Sequence, residues 1–410
     1  MLGRILRRKS TSAQEAEALL LIDPWLLVAS LLLLALGLLM VTSASIPIAD
    51  RLTGQPFYFF IRQGIQVGLG LLLALFVFQV PLATWYRSGP LLLLIAVLLL
   101  VAVLIPGIGK EVNGSMRWID LKVTNVQVSE LAKLCGFIYV AGYLQRHGEA
   151  LRTSMMAMIR PLAVLAVLGL LLLLEPDFGA TAVLLAVALG MVFLAGVNIW
   201  QFAALQLVTL GAMATLLYAS PYRRARLASF LDPWADPFNS GFQLTQSLIA
   251  IGRGELFGVG LGASVQKLFY LPEAYTDFLF AILAEELGLI GVLTVIGLYG
   301  VLVWRAFRVG QHAERLEMRF GAYLAYGIGL WFALQALVNM GVNMGVLPTK
   351  GLTLPLMSYG GSSVVVMCMA LAVLLRIDLE VRANDPRLQR KRVAVSSVSA
   401  PAAPSQVPGP

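Results

Sequence analysis

The sequence predicts an all-α polytopic membrane protein of about ten transmembrane helices, with a long outer loop before the eighth span. Three observations lead there. Of the 410 residues, 59% are hydrophobic and 13% charged, more apolar surface than a soluble core of that length can bury. The apolar residues fall into blocks of about 15 to 25, the length that crosses a hydrocarbon layer of roughly 30 Å. The basic residues gather in alternate connections between those blocks, the pattern that sets orientation in a bilayer.

Residues 1–23 hold Arg4, Arg7, Arg8 and Lys9 and read as a cytoplasmic segment before a full-length span that starts after Pro24, an anchor rather than a cleaved signal. Spans follow near 24–45, 58–80, 90–106, 128–145, 160–174, 178–197, 199–220, 277–303, 321–346 and 356–376, within a transmembrane domain over 24–380. With ten spans, Arg4 to Lys9, Arg87, Arg146, Arg152, Arg160, Arg305, Arg308, Arg315, Arg319 and the tail from Arg376 to Arg392 share one side, so both termini are cytoplasmic. Because the net charge of +8 sits in these connections, it points to membrane orientation and away from nucleic acid. Residues 381–410, rich in Ser, Pro, Ala and basic side chains, form a disordered cytoplasmic tail.

The fifth and sixth spans are separated only by Glu175, Pro176 and Asp177. Two carboxylates at the bilayer centre are costly, which places them in a tight turn at the outer surface. Two outer loops stand out, about 107–127 and 221–276, the second with an amphipathic stretch that predicts an interfacial or re-entrant helix over 241–251. No internal repeat supports a transporter built from inverted halves. Cys135 and Cys368 lie inside apolar blocks, and His147 and His312 flank such blocks beside basic residues, so neither a disulfide framework nor a haem or zinc site is indicated.

Asp277 stands where the long outer loop meets the eighth span. It reads either as an N-cap or first-turn acid, or as a carboxylate at the membrane–water boundary within reach of a lipid-anchored substrate. Glu285 and Glu286, two turns further on, need a cation or a polar cavity, and structural pairing is their simpler reading. Glu130 and Lys133 are spaced i, i+3 at the start of the fourth span, as a buried structural pair or as part of a substrate site. Arg62, Lys110, Arg117, Lys350 and the Arg223–Arg226 cluster are cations on the less basic side. An anion such as a lipid phosphate or pyrophosphate would explain them, and so would headgroup anchoring. The run from Leu347 to Ser363 breaks the helix with two prolines, three glycines and several hydroxyls. Such backbone is tolerated at membrane depth only against protein or a watery cavity.

Taken together, LPTKGLTLPLMSYGGSS at 347–363, LPEAYTDFLFAILAEELG at 271–288, GSMRWIDL with VQVSELAKL within 114–134, EPDFG at 175–179 and QSLIAIGRGELFGVGLG at 246–262 resemble the SEDS family of bacterial membrane proteins, from Pro24 to about Glu380. The TKG before LTLPLMSYGG is closer to the division-associated branch than to the elongation-associated one. The resemblance implies a peptidoglycan glycosyltransferase that polymerises lipid II outside the bacterial inner membrane at the septum. It also implies a class B penicillin-binding transpeptidase and other division proteins as partners. Its essential acid falls on Asp277, with Arg62, Arg117, Gln127, Glu130, Lys133 and the turn from Ser358 through Ser362 to Ser363 matching further positions.

The mechanism so implied is direct displacement at the anomeric carbon of a polyprenyl-pyrophosphate-linked sugar, with Asp277 as general base for the acceptor hydroxyl. Pyrophosphate leaves without a second carboxylic acid. Outer-face Arg and Lys residues, Lys350 among them, would hold the departing charge, with a divalent cation such as magnesium or manganese as one possible aid. A lipid II flippase and a non-catalytic division scaffold are the rival readings.

Overall fold

The computed structural model describes residues 22–112, 115–120, 125–219, 224, 227, 229–239, 241–348 and 351–386. Asp23 starts α1 (Pro24–Thr53): its Oδ1 accepts from the amides of Trp25 (3.0 Å) and Leu26 (3.2 Å), Pro24 follows at the first helical position, and Gly54 in the left-handed region ends the helix. Then come α2 (Tyr58–Gln79) and α3 (Leu82–Val103). Next is a three-stranded antiparallel meander of β1 (Gly109–Val112), β2 (Ser115–Asp120) and β3 (Asn125–Gln127). The chain continues through α4 (Val128–His147), the short α5 (Ala150–Thr153), α6 (Met155–Leu174), α7 (Phe178–Leu194) and α8 (Ile199–Tyr218). After α9 (Phe242–Gly254) come α10 (Leu279–Arg315), α11 (Arg319–Asn343) and α12 (Ser362–Asn384).

Among the described residues six helices are long and apolar enough to cross a membrane: α1, α2, α3, α6, α10 and α11. Helix α7 and the Ile199–Thr215 part of α8 are apolar but shorter. Helices α10 and α11 pack along each other, α2 lies against α12, α3 against α4, and α11 also meets α4 and α7. The centre is α11, with 72% of its most apolar stretch buried against 17% for α2.

Several expectations are corrected. The chain is not all-α, because the loop at about 107–127 folds as the meander, with Trp118 opposite both Lys110 and Gln127. A segment that long must satisfy its own backbone, and antiparallel pairing does so. The amphipathic stretch expected over 241–251 is α9, three residues longer at its C-terminal end. Helix α12 runs through Asn384 with Val381 buried, past the boundary drawn at 380. Residues 1–21, 387–410 and most of the Arg223–Arg226 cluster lie outside the described residues.

The eighth span is also discontinuous. Gly288 (φ 64°, ψ −163°) splits α10 into a short leading piece and a long trailing one. The loop after α9 enters the break: Val259 N donates to Glu285 O (2.9 Å), Gly260 N to Glu286 O (3.1 Å), and Leu289 N to Glu255 O (2.9 Å). The groups freed by the break are thereby satisfied in protein. A methyl on Gly258 would collide with the Glu286 carbonyl, so a side chain there is excluded by contact as well as by its φ of 79°. The acids beside the break are paired, Glu285 with Arg253 (3.1 Å) and Ser264 Oγ (2.5 Å), Glu286 with Lys267 (2.7 Å) and Ser43 Oγ (2.7 Å).

Candidate functional site

Asp277 lies two residues before α10, half-buried. The helix begins at Leu279 with Phe278 in the N-cap position, so Asp277 stands one residue before the N-cap. Its main-chain oxygen instead accepts from two carboxamides of α11, Asn339 Nδ2 (2.9 Å) and Asn343 Nδ2 (3.0 Å). Asn343 Oδ1 also takes the Ala281 amide (3.1 Å), which the Phe278 carbonyl shares (3.1 Å), in the first turn of α10. The carboxylate faces Gly351, where an added methyl would come within 2.9 Å of Oδ2.

Gly351 belongs to the segment between α11 and α12. This is no plain hairpin: Leu352, Leu354, Leu356 and Met357 are buried, and the backbone is tied to its surroundings atom by atom. Asn339 Nδ2 donates to Leu352 O (2.6 Å), Gln335 Nε2 to Thr353 O (3.1 Å), Gln63 Nε2 to Ser358 O (3.3 Å), and Tyr299 Oη to Pro355 O (2.5 Å). Ser358 Oγ accepts from Leu354 N (3.0 Å) and Ser363 Oγ pairs with Thr353 Oγ1 (3.2 Å). Ser362 Oγ accepts from the Gln127 amide (2.7 Å), joining the segment to the start of α4, while Gln127 Nε2 turns to Ser129 Oγ (3.0 Å).

Lys133 and Glu130 form the pair their spacing allows, at 2.7 Å and fully within the protein. Lys133 Nζ also donates to Gln335 Oε1 (3.0 Å) and lies 5.1 Å from the centre of the Trp331 ring. Its charge is thus spent on neighbours that hold Thr353. Glu130 Oε2 and Asn339 Oδ1 are buried with no hydrogen-bond partner among the described residues, an arrangement that wants a donor.

The structure places Arg117 and Arg62 on two other sides of this network. Arg117 donates from Nε to Glu175 O (3.1 Å) and from Nη2 to Pro176 O (2.8 Å), with Nη1 4.0 Å from Asp177 Oδ2. The Glu175–Asp177 turn expected at the outer surface is therefore clamped under β2, and Glu175 is 0% exposed. Burial, reinforced by Asp177 and opposed by Arg117, pushes the Glu175 carboxyl up to about 8. The next turn packs on the 351–353 segment, since a methyl on Gly179 would lie 3.1 Å from Leu352. Arg62 is exposed, stacks on the Tyr58 ring (4.8 Å) and stands near the Tyr359 phenol of the Phe59–Tyr275–Tyr359 aromatic cluster. Lys110 pairs with Asp120 at 2.9 Å on the exposed meander. Lys350 lies outside the described residues.

Sequence reasoning missed Gln335, Asn339 and Asn343, which anchor both Asp277 and the 351–353 segment. The signal was present: three carboxamides at i, i+4 and i+8 form a polar stripe along one face of an otherwise apolar span. No group of three or more His, Cys, Asp or Glu able to hold a metal occurs among the described residues.

Comparison with known proteins agrees with this architecture. A Thioalkalivibrio sulfidiphilus protein named "Probable peptidoglycan glycosyltransferase FtsW" is 58% identical over 89% of this chain and 91% of its own length. One of the same name from Legionella pneumophila is 55% identical over 88% and 92%. A solved chain from work on the structural coordination of polymerization and crosslinking by a peptidoglycan synthase complex superposes with a TM-score of 0.70 at 31% identity, over 87% of this chain and 97% of its own. The Thermus thermophilus rod shape determining protein RodA superposes at 0.65 and 29% identity, over 87% and 96%. A family model described as cell cycle protein, FtsW/RodA/SpoVE, matches residues 24–383, and the chain belongs to that family.

Proposed function

We propose that this chain is a peptidoglycan glycosyltransferase that polymerises lipid II at the outer face of the bacterial inner membrane during division, with Asp277 as general base. The observation that carries the reading is the way Asp277 is held. Two carboxamides fix its main-chain oxygen while the half-buried carboxylate lies against Gly351. A rigidly placed acid at the edge of a buried polar network suits proton abstraction in a defined geometry. The acceptor 4-hydroxyl oxygen forms the new bond to the donor's anomeric carbon, its proton passes to Asp277, and the bond to pyrophosphate breaks with the electron pair leaving on the pyrophosphate. The names of the relatives support this substrate class.

The reading has ten spans with both termini cytoplasmic, so that Asp277, the meander and the 351–363 segment lie outside. Arg62, exposed beside Tyr359, and Lys350 are assigned to the substrate's phosphates. Gln127, Glu130, Lys133, Ser358 and Ser362 serve by positioning the segment that faces Asp277, and Arg117 by clamping the neighbouring turn. A class B penicillin-binding transpeptidase is the assigned partner, consistent with the synthase-complex neighbour, and other division proteins complete the assembly.

The test is polymerisation of purified lipid II in detergent, with and without the cognate transpeptidase and a chelator. Wild type should make glycan strands. Asp277→Asn should insert and bind the partner yet lose at least about a hundredfold in rate. Wild-type polymerisation by that variant removes Asp277 as base; absence of polymer from wild type in every condition leaves a flippase or scaffold. Loss of rate with chelator would assign a divalent cation to the pyrophosphate.

A further inference from the structure

At the other end of α10 from Asp277, a cavity of about 680 Å³ opens between the last turns of α10, the start of α1 and the end of α12. That volume lies within the range of small-ligand sites, roughly 300–1,000 Å³. Part of its charge is spoken for. Asp23 accepts from Arg305 Nε (2.7 Å) and Arg382 Nη2 (3.1 Å), Asp378 from Arg382 Nε (2.8 Å), and Asp385 Oδ2 lies 3.0 Å from His312 Nε2. These pairs lock the three helix ends together and need no further cation.

Two further guanidinium groups line the same cavity, Arg308 and Arg315. Both are exposed, and neither has a carboxylate within ion-pair distance among the described residues. Seven residues apart, they lie on one face of α10, about 10 Å along its axis, with Gln311 and His312 between them. Arg315, in the last turn, complements the helix dipole; Arg308, two turns earlier, has no such role. Arg308 is instead laid over the Trp304 ring at 5.2 Å, beside Arg305 at 5.3 Å from the same ring. Trp304 is itself exposed where the apolar part of α10 gives way to basic residues, the position that marks headgroup level in a bilayer.

From Arg308 and Arg315, unpaired among the described residues and lining this walled cavity, we propose that it is a binding site for a phosphate group, taken from an anionic lipid headgroup or from a soluble phosphate. Guanidinium forks suit phosphate oxygens bidentately, and Gln311 adds a neutral donor. The proposal does not depend on the reaction assigned to Asp277, which lies at the opposite end of the helix.

The test uses the full chain and an Arg308→Gln/Arg315→Gln double variant, with Arg87→Gln/Arg160→Gln as a control that removes two positive charges elsewhere. In one arm, native mass spectrometry follows retention of phosphatidylglycerol against phosphatidylcholine from mixed nanodiscs. In the other, melting temperature in detergent is titrated with inorganic phosphate. At least a tenfold loss of apparent affinity in the cavity variant, and not in the control, is expected in one arm or both. Loss in the lipid arm alone assigns a lipid headgroup, and loss in the phosphate arm assigns a free phosphate. Equal binding by wild type and the cavity variant in both arms, or equal loss in the control, overturns the proposal. Lipid II polymerisation by the cavity variant should remain within about twofold of wild type, which separates this site from the polymerase reading.

Discussion

The two ends of α10 are held by opposite kinds of chemistry. At the end that carries Asp277, neutral carboxamides and hydroxyls grip backbone carbonyls: Asn339 and Asn343 on Asp277, Asn339 on Leu352, Gln335 on Thr353. At the far end, arginines and aspartates grip one another: Arg305 and Arg382 on Asp23, Arg382 on Asp378. Neutral donors fix backbone geometry without bringing charge of their own, whereas ion pairs tie helix ends firmly but shift the potential around them. The difference teaches that the first end is built for precision around one acid and the second for fastening.

The largest break comes from the buried ion pair behind the 351–353 segment. Lys133→Met leaves Glu130 buried and unpaired and should destabilise the protein by about 3–5 kcal/mol, read as a lower melting temperature in detergent. Glu130→Gln/Lys133→Met should recover much of that loss. Asn339→Leu comes next: it removes the donor shared by Asp277 O and Leu352 O. The rate of lipid II polymerisation per folded molecule should fall at least about tenfold, as expected when a reacting group is misplaced. Unchanged turnover would show that the carboxamide stripe is structural only.

Asp23→Asn inverts that pattern. Asparagine still caps α1, but Arg305 and Arg382 lose their shared acid, a loss of about 1.5–3 kcal/mol by the scale of charged hydrogen bonds. Melting temperature should drop while polymerisation per folded molecule stays near wild type. The effect at Glu175 is set by pH. Because its folded carboxyl titrates near 8 and an ordinary one near 4.5, the folded state binds the proton more tightly. Stability should therefore decline as pH rises from about 4.5 to about 8 and level off above. Glu175→Gln should remove that decline, raising the melting temperature at pH 8 and leaving it unchanged at pH 5.

The helical architecture was readable because hydrophobic blocks and caps are local properties. In the structure Asp23, Asp177 and Asn198 each start a helix by accepting a first-turn amide. The meander was not readable, because pairing Trp118 with Lys110 and Gln127 is a relation between segments. Asp277 stood out as a carboxylate at a span boundary, and Glu130 with Lys133 as an i, i+3 pair. The carboxamide stripe of α11 was legible in spacing alone, yet nothing in the spacing says which backbone oxygens it meets.

By itself the sequence determined where the chain is apolar enough to enter a membrane, and which acids and cations are too costly to bury without a reason. Tertiary structure alone decided that α10 breaks at Gly288 around the loop after α9, that Arg117 clamps the Glu175–Asp177 turn, and that Asn339 joins Asp277 to Leu352. The reason is physical: hydrophobic transfer and capping act within a few residues of chain, whereas satisfying a buried polar atom depends on which partner the whole fold brings within about 3 Å.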